Sequence, residues 1–173
     1  MLNFQKDKPI LSIQEECGVS LSGAALTDLL QAVVSRGSLF TLQAKGFSMF
    51  PFIRDGDEVT ISPLHGASLR VADVVAFIHP AIKRVFIHRV VGKKGDSYII
   101  KGDNSLEMDG PVPTANILGL VKRLDRDHKR ITLGLGPERF LIALLSRKNL
   151  LLHLLLPVWR YTRPFTRRRP RFE

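Results

Sequence analysis

Cysteine is almost missing from this chain. Cys17 is the only one in 173 residues, which excludes a disulfide scaffold and a cysteine-rich zinc site. The histidines His65, His79, His128 and His153 are scattered without metal-ligand spacing, so no metal is expected. Gly-rich phosphate loops and dinucleotide fingerprints are lacking, and no cofactor is expected. The start, Met1–Lys8, has no basic stretch followed by an apolar run. No secretory leader is therefore expected, and the cytosol is the default location. Aromatics make up only 8% of the residues and form no base-stacking surface beside the basic ones, so specific nucleic-acid binding is not expected.

What is abundant is apolar: 45% of the residues are hydrophobic and 24% charged, a normal globular composition that excludes wholesale disorder. The length fits one core plus an appendage. Charge is unevenly spread. Residues 1–138 hold 17 Lys and Arg against 15 acids, whereas residues 139–173 hold 9 against the single Glu173. A nearly neutral body with a basic tail points to a docking device rather than a basic domain.

Three segments follow from patterning: an arm and helix at 1–38, a β domain at 39–136, and a Leu-rich helix with an Arg-rich tail at 137–173. Leu26, Leu29, Leu30, Val33 and Val34 recur at helical spacing, predicting a helix over Ser22–Arg36 stopped by Gly37. Residues 1–20 show little periodicity and read as a loose arm. Beyond Gly37 the period shortens to two, predicting strands at Phe40–Ala44, Glu58–Ser62, Asp73–Ile78, Arg84–Val91, Tyr98–Lys101, Ile117–Leu124 and Arg130–Leu133. Turns such as Asp55-Gly56, His79-Pro80 and Gly110-Pro111 separate them. The expected fold is mainly β, antiparallel-rich, as a closed barrel or a folded-over sheet.

Pro137 and Glu138 open a predicted helix over Arg139–Leu156, with nine leucines and a stop at Pro157. Arg147 and Lys148 would each cost about 2.5–3.5 kcal/mol at mid-bilayer, while each Leu returns only about 0.5 kcal/mol. A spanning helix is not expected. On a helical wheel Ser146, Asn149 and His153 share one side; Leu141, Leu144, Leu151, Leu152 and Leu155 share the other, with Lys148 among them. Such an amphipathic helix suits an anionic membrane surface. It equally suits the protein's own sheet or a second copy, and composition does not separate these.

The chemistry gathers in three places. Gly46-Phe47-Ser48-Met49-Phe50-Pro51 follows a strand and enters a turn. A serine nucleophile needs a base to take its proton and often a third group to orient that base. His88 follows in Phe86-Ile87-His88-Arg89-Val90-Val91-Gly92, and Asp103 and Asp109 in the segment Lys101–Asp109. Strand parity puts His88 with Phe86 and Val90 on one apolar face and Lys83 with Val85, Ile87 and Arg89 on the other. An apolar face favours the neutral imidazole that a general base requires. Lys83 is the competing base, facing away from His88. The plain alternative for His88 is a hydrogen-bonded core histidine, and for Ser48 a turn hydroxyl.

In order and spacing, GFSMFP, RDGDEVTI, VADVVAF, HRVVGKKGDSYIIKGDN and a trailing Asp109 resemble the type I signal peptidase family, above all its eukaryotic and archaeal serine–histidine branch. The resemblance covers about residues 40–124. It implies a coiled, mostly antiparallel β fold of the signal-peptidase/LexA-like kind and a serine endopeptidase that cuts peptides after small residues near membranes. By the same resemblance Ser48 is the nucleophile, His88 the base, Asp109 the acid that orients it, and Asp103 a supporting aspartate. The backbone N–H of Ser48 would be the oxyanion donor, because the family's hydroxyl residue two positions earlier is Gly46 here. Ala72 replaces the family's usual Gly, Ser105 replaces an Asn, and the family's amino-terminal membrane span has no counterpart. The expectation is a specialised processing peptidase for a precursor peptide or small protein, cytoplasmic and peripheral at the inner membrane face through residues 139–173.

Two rivals stand beside it. One is a LexA-like self-cleaving regulator, with Cys17-Gly18 as the bond cut; residues 1–38 are short for a DNA-reading domain, and that family uses lysine where His88 stands. The other is a catalytically inactive binding module on the same fold.

Overall fold

The computed structural model describes residues 11–12 and 23–151. Cys17-Gly18, His153, Leu152–Leu156 and the arginine tail lie outside the described residues. Nine strands form one sheet, curled into a half-barrel, in the order β1-β2-β3-β8-β4-β5-β6-β7, with β9 on β8. These are β1 (Leu11–Ser12), β2 (Phe40–Gln43), β3 (Glu58–Ser62), β4 (Val74–Ile78), β5 (Val85–Lys94), β6 (Ser97–Lys101), β7 (Pro111–Pro113), β8 (Ile117–Arg126) and β9 (Lys129–Arg130). Every pairing is antiparallel except β1 with β2. Two helices, α1 (Gly23–Ser35) and α2 (Arg139–Arg147), complete the described fold.

Alternation in the sequence becomes inside and outside here. In β3, Val59 and Ile61 are buried while Glu58, Thr60 and Ser62 are half-buried. β4 is buried at all five positions, as its unbroken apolar run Val74–Ile78 requires of a central strand with both faces covered. One core gathers Leu30 and Val33 of α1 with Phe40, Val59, Ile61, Val74, Ala76 and Leu124. The other, on the opposite face, joins Val75, Phe77, Val90, Tyr98, Ile100 and Val112. Strand β5 therefore carries a different environment on each side.

Four expectations are corrected. Of the run Arg130–Leu133 only Arg130 is strand, in β9; Leu135 and Gly136 N–H groups both donate to the Thr132 carbonyl, so the chain turns there. Pro111, read with Gly110 as a turn, opens the strand Pro111–Pro113 on the sheet edge, where proline is tolerated on either side of buried Val112. The stretch from Arg139 is not continuously helical: α2 ends at Arg147 and the chain turns at Lys148-Asn149, with Asn149 at φ +57°. Asn tolerates that left-handed conformation better than most residues. Leu11–Ser12, in the expected loose arm, forms β1.

Composition left the partner of this helix open. Ile142, Ala143 and Ser146 turn inward, and α2 lies on β5. Phe140, Leu141 and Leu144, the more apolar stripe, face outward, each more than half exposed. Ile142 joins Phe52, Leu151 and Leu145 in a small third core. No described helix is long and apolar enough to cross a membrane.

Candidate active site

The turn after β2 presents Ser48. Ala44 N–H donates to the Asp57 carbonyl at 2.7 Å, and Gly46, at φ +93°, donates to Asp55 Oδ1 at 2.8 Å. The chain then tightens: Phe50 N–H bonds the Phe47 carbonyl, and the Phe52 and Ile53 N–H groups both bond the Met49 carbonyl. Met49 and Ile53 are buried in the first core, so the turn is pinned from below. The Phe50–Pro51 peptide is cis. Ser48 is left half-buried at the rim.

His88 comes from the middle of β5, paired across from Val75. It is 3% exposed, with the Phe86 ring 5.5 Å and the Phe77 ring 6.0 Å from its own. Its Nε2 lies 2.8 Å from Ser48 Oγ and its Nδ1 2.7 Å from Asp109 Oδ2. An ionised carboxylate only accepts, so Nδ1–H donates to Asp109 and Nε2 is free to accept the Ser48 hydroxyl proton. The arrangement is a nucleophile–base–orienter chain closed by two short hydrogen bonds.

Asp109 reaches His88 because the Gly102–Asp109 loop folds back on itself. Asp109 N–H returns to the Ile100 carbonyl of β6, 3.0 Å away. Asn104 grips the serine turn twice, its N–H on the Ser48 carbonyl at 2.7 Å and its Nδ2 on the Phe47 carbonyl at 3.0 Å. Gly102 sits at the junction of both loops: a Cβ there would lie 2.8 Å from the Ser48 carbonyl oxygen and 3.1 Å from His88 Nε2. Phe47, Leu106 and Met108, on the two loops, are exposed apolar side chains.

Asp103, grouped with these residues from the sequence, stands apart from the histidine. It is fully buried and forks onto Arg89, which is equally buried: Nε donates to Oδ1 at 2.9 Å and Nη2 to Oδ2 at 2.7 Å. Arg89 Nη1 donates to the Ala72 and Gly134 carbonyls at 3.0 and 2.9 Å. The Phe52 ring centroid is 5.8 Å from the guanidinium carbon. Ala72, which gives up its carbonyl to this ion pair, has φ +83°, a conformation glycine adopts without strain. Lys83 lies in the exposed turn before β5 begins, at φ +57°, its N–H on the His79 carbonyl.

Sequence reasoning passed over Arg89, Lys101 and Gly102. For Arg89 a signal existed, a lone cation inside the apolar run Val85–Val91. Lys101 is 1% exposed, and its Nζ donates to the Ser105 carbonyl at 2.6 Å. Burial pushes this ammonium below the ordinary lysine range, against the pull of the Asp103 and Asp109 carboxylates. Of the other histidines, His79 accepts the Ala81 and Ile82 N–H groups and His65 packs on Gly37. Among the described residues, no three His, Cys, Asp or Glu side chains gather as a metal site. A cavity of about 460 Å³ lined by Val34, His65 and Tyr98 touches none of Ser48, His88 and Asp109.

No protein-family model matches the chain, and no curated protein matches it.

Proposed function

We propose that this protein is a serine endopeptidase that cleaves a precursor peptide or small protein after small residues, with a signal-peptidase-like β fold. The single observation that carries the reading is the imidazole of His88, hydrogen-bonded through one nitrogen to the Ser48 hydroxyl and through the other to Asp109. In this reaction Ser48 Oγ bonds to the scissile carbonyl carbon while its proton passes to His88 Nε2. Asp109 holds the ring and stabilises the imidazolium. The tetrahedral oxyanion is met by the Ser48 N–H, which donates to no acceptor among the described residues. His88 then gives its proton to the departing amine, and water releases the acyl group by the same relay. Phe47, Leu106 and Met108 supply apolar surface for an extended chain beside the serine.

A serine-directed fluorophosphonate tests this without knowledge of the substrate. The full chain is expected to gain the mass of one adduct on Ser48, and Ser48→Ala to gain none. His88→Ala and Asp109→Asn should slow labelling by about 100-fold or more, the usual contribution of a general base and its support. The rate should climb from acidic towards neutral pH, because only neutral imidazole accepts the hydroxyl proton. Labelling that rises only in strongly alkaline buffer counts against His88 as the base. A folded wild type that never labels sinks the enzymatic reading in favour of a binding module, and loss of residues 1–17 in storage, absent in Ser48→Ala, marks a self-cleaver.

The outward face of α2 supports a working place at the inner face of a membrane. Its outward stripe of Phe140, Leu141 and Leu144 ends in exposed Arg147 and Lys148, an apolar face with cations beside it that matches an anionic bilayer surface. The full chain should co-sediment with phosphatidylglycerol vesicles and less with phosphatidylcholine, and Leu141→Glu/Leu144→Glu should weaken this at least about tenfold. Equal sedimentation of that double variant removes α2 as the anchor.

A further inference from the structure

A buried lysine that neither the triad nor the Arg89–Asp103 pair uses stands at the end of β6. Lys101 lies across from Arg89 in the β5–β6 register, so two buried cations share this end of the hairpin. Asp103 is taken up by the Arg89 fork, and Asp109 bonds His88. Among the described residues no carboxylate comes within ion-pair distance of the Lys101 ammonium. Among the described residues its hydrogen bond goes to the Ser105 carbonyl. Burying an ammonium with so little compensation opposes folding. A methionine of similar volume would fill the same space without that opposition. Stability does not explain a lysine here.

Its place in the loop does. Ser105 stands between Asn104, which grips the serine turn, and Asp109, which holds the imidazole. The Ser105 hydroxyl itself borders the triad: a Cβ on Gly102 would meet Ser105 Oγ at 2.7 Å and His88 Nε2 at 3.1 Å. The tie from Lys101 to the Ser105 carbonyl therefore fixes the middle of the one loop on which the whole relay depends. It also sets a positive charge near the Asp109 carboxylate.

We propose that Lys101 is a positioning residue: its buried ammonium, through the Ser105 carbonyl and its charge beside Asp109, holds the Gly102–Asp109 loop so that Asp109 stays on His88 Nδ1. This rests on the Ser48–His88–Asp109 relay being the catalytic one. The lysine never touches the substrate or the reacting atoms.

The test compares wild type with Lys101→Met and Lys101→Gln in the full chain, by three measurements. Melting temperature should stay level or rise in Lys101→Met. The far-downfield proton resonance of an imidazole N–H bonded to a carboxylate, assigned to His88 by its loss in Asp109→Asn, should broaden or vanish in both variants. Fluorophosphonate labelling should slow by at least about tenfold, as misplaced catalytic groups do. Wild type should gain stability as pH rises towards the ordinary lysine range, because the unfolded chain binds the proton that folded Lys101 gives up; Lys101→Met should lose that gain. A resonance kept in place with labelling within twofold of wild type overturns the proposal. So does a collapse of both variants below the wild-type melting temperature, which would make Lys101 a structural residue. If wild type fails to label yet the resonance still depends on Lys101, the peptidase reading fails and the positioning role stands.

Discussion

Gly102→Ala is expected to suppress acylation of Ser48 by about 100-fold or more while leaving the fold intact. The effect is steric. Gly102 carries no left-handed backbone angle, so alanine meets no conformational barrier there. Its methyl group would instead lie 2.7 Å from Ser105 Oγ, 2.8 Å from the Ser48 carbonyl oxygen and 3.1 Å from His88 Nε2. The first two are closer than side-chain carbons tolerate, and one of them is backbone. The Ser48 carbonyl is already fixed by the Asn104 N–H at 2.7 Å, so relief comes by pushing the serine turn and the Asp109 loop apart. Overpacking of this kind costs about 1–3 kcal/mol in stability, which a folded domain survives. A displacement approaching 1 Å between nucleophile and base, however, is worth about 100-fold in rate. Gly92→Ala is the control. The nearest atom to a Cβ there is 3.6 Å away, an ordinary contact on Ile99, and labelling should stay within about twofold of wild type. Fluorophosphonate kinetics and a melting curve on both proteins decide it. A Gly102→Ala protein that labels at the wild-type rate would mean that the close approach of the two loops is irrelevant to the reaction.

The same junction explains what was and was not legible in the sequence. Period-two alternation located most strands, and parity put His88 with Phe86 and Val90, the face that the second core lines. Those features are local, set by the backbone's own geometry. Choosing between Asp103 and Asp109 was not local. Asp103 follows β6 closely and turns to Arg89, whereas Asp109 returns to the histidine only because its N–H bonds back to the Ile100 carbonyl. No spacing rule encodes that return. The edge strand Pro111–Pro113 was hidden by its prolines, whose usual meaning is a turn. For α2 the wheel left the partner open: it shows which side is more apolar, whereas the side that packs, here Ile142, Ala143 and Ser146, depends on the fit to β5. Lys101 gave no signal, since a lysine at the end of a strand ordinarily faces water.

Breaking the Arg89–Asp103 pair is expected to have the largest effect on stability. Both side chains are completely excluded from solvent, and three Arg89–Asp103 contacts at 2.7–3.1 Å join them. Arg89 also satisfies two carbonyls, Ala72 before β4 and Gly134 before α2. Removal of one partner leaves a charge stranded in the interior, a loss of about 3–5 kcal/mol. Against a total stability of about 5–15 kcal/mol, Arg89→Met or Asp103→Leu alone should bring the protein close to unfolding. Arg89→Lys should not rescue it, because one ammonium cannot copy a planar fork that reaches a carboxylate and two carbonyls at once. The double variant Arg89→Met/Asp103→Leu removes both charges together. Its loss should fall short of the sum of the single losses by at least about 1 kcal/mol, as expected for residues in direct contact. Denaturant melts of the four proteins measure that difference. Additive losses would show that the two side chains act independently, and the buried fork would then have no part in holding the Gly102–Asp109 loop against the sheet.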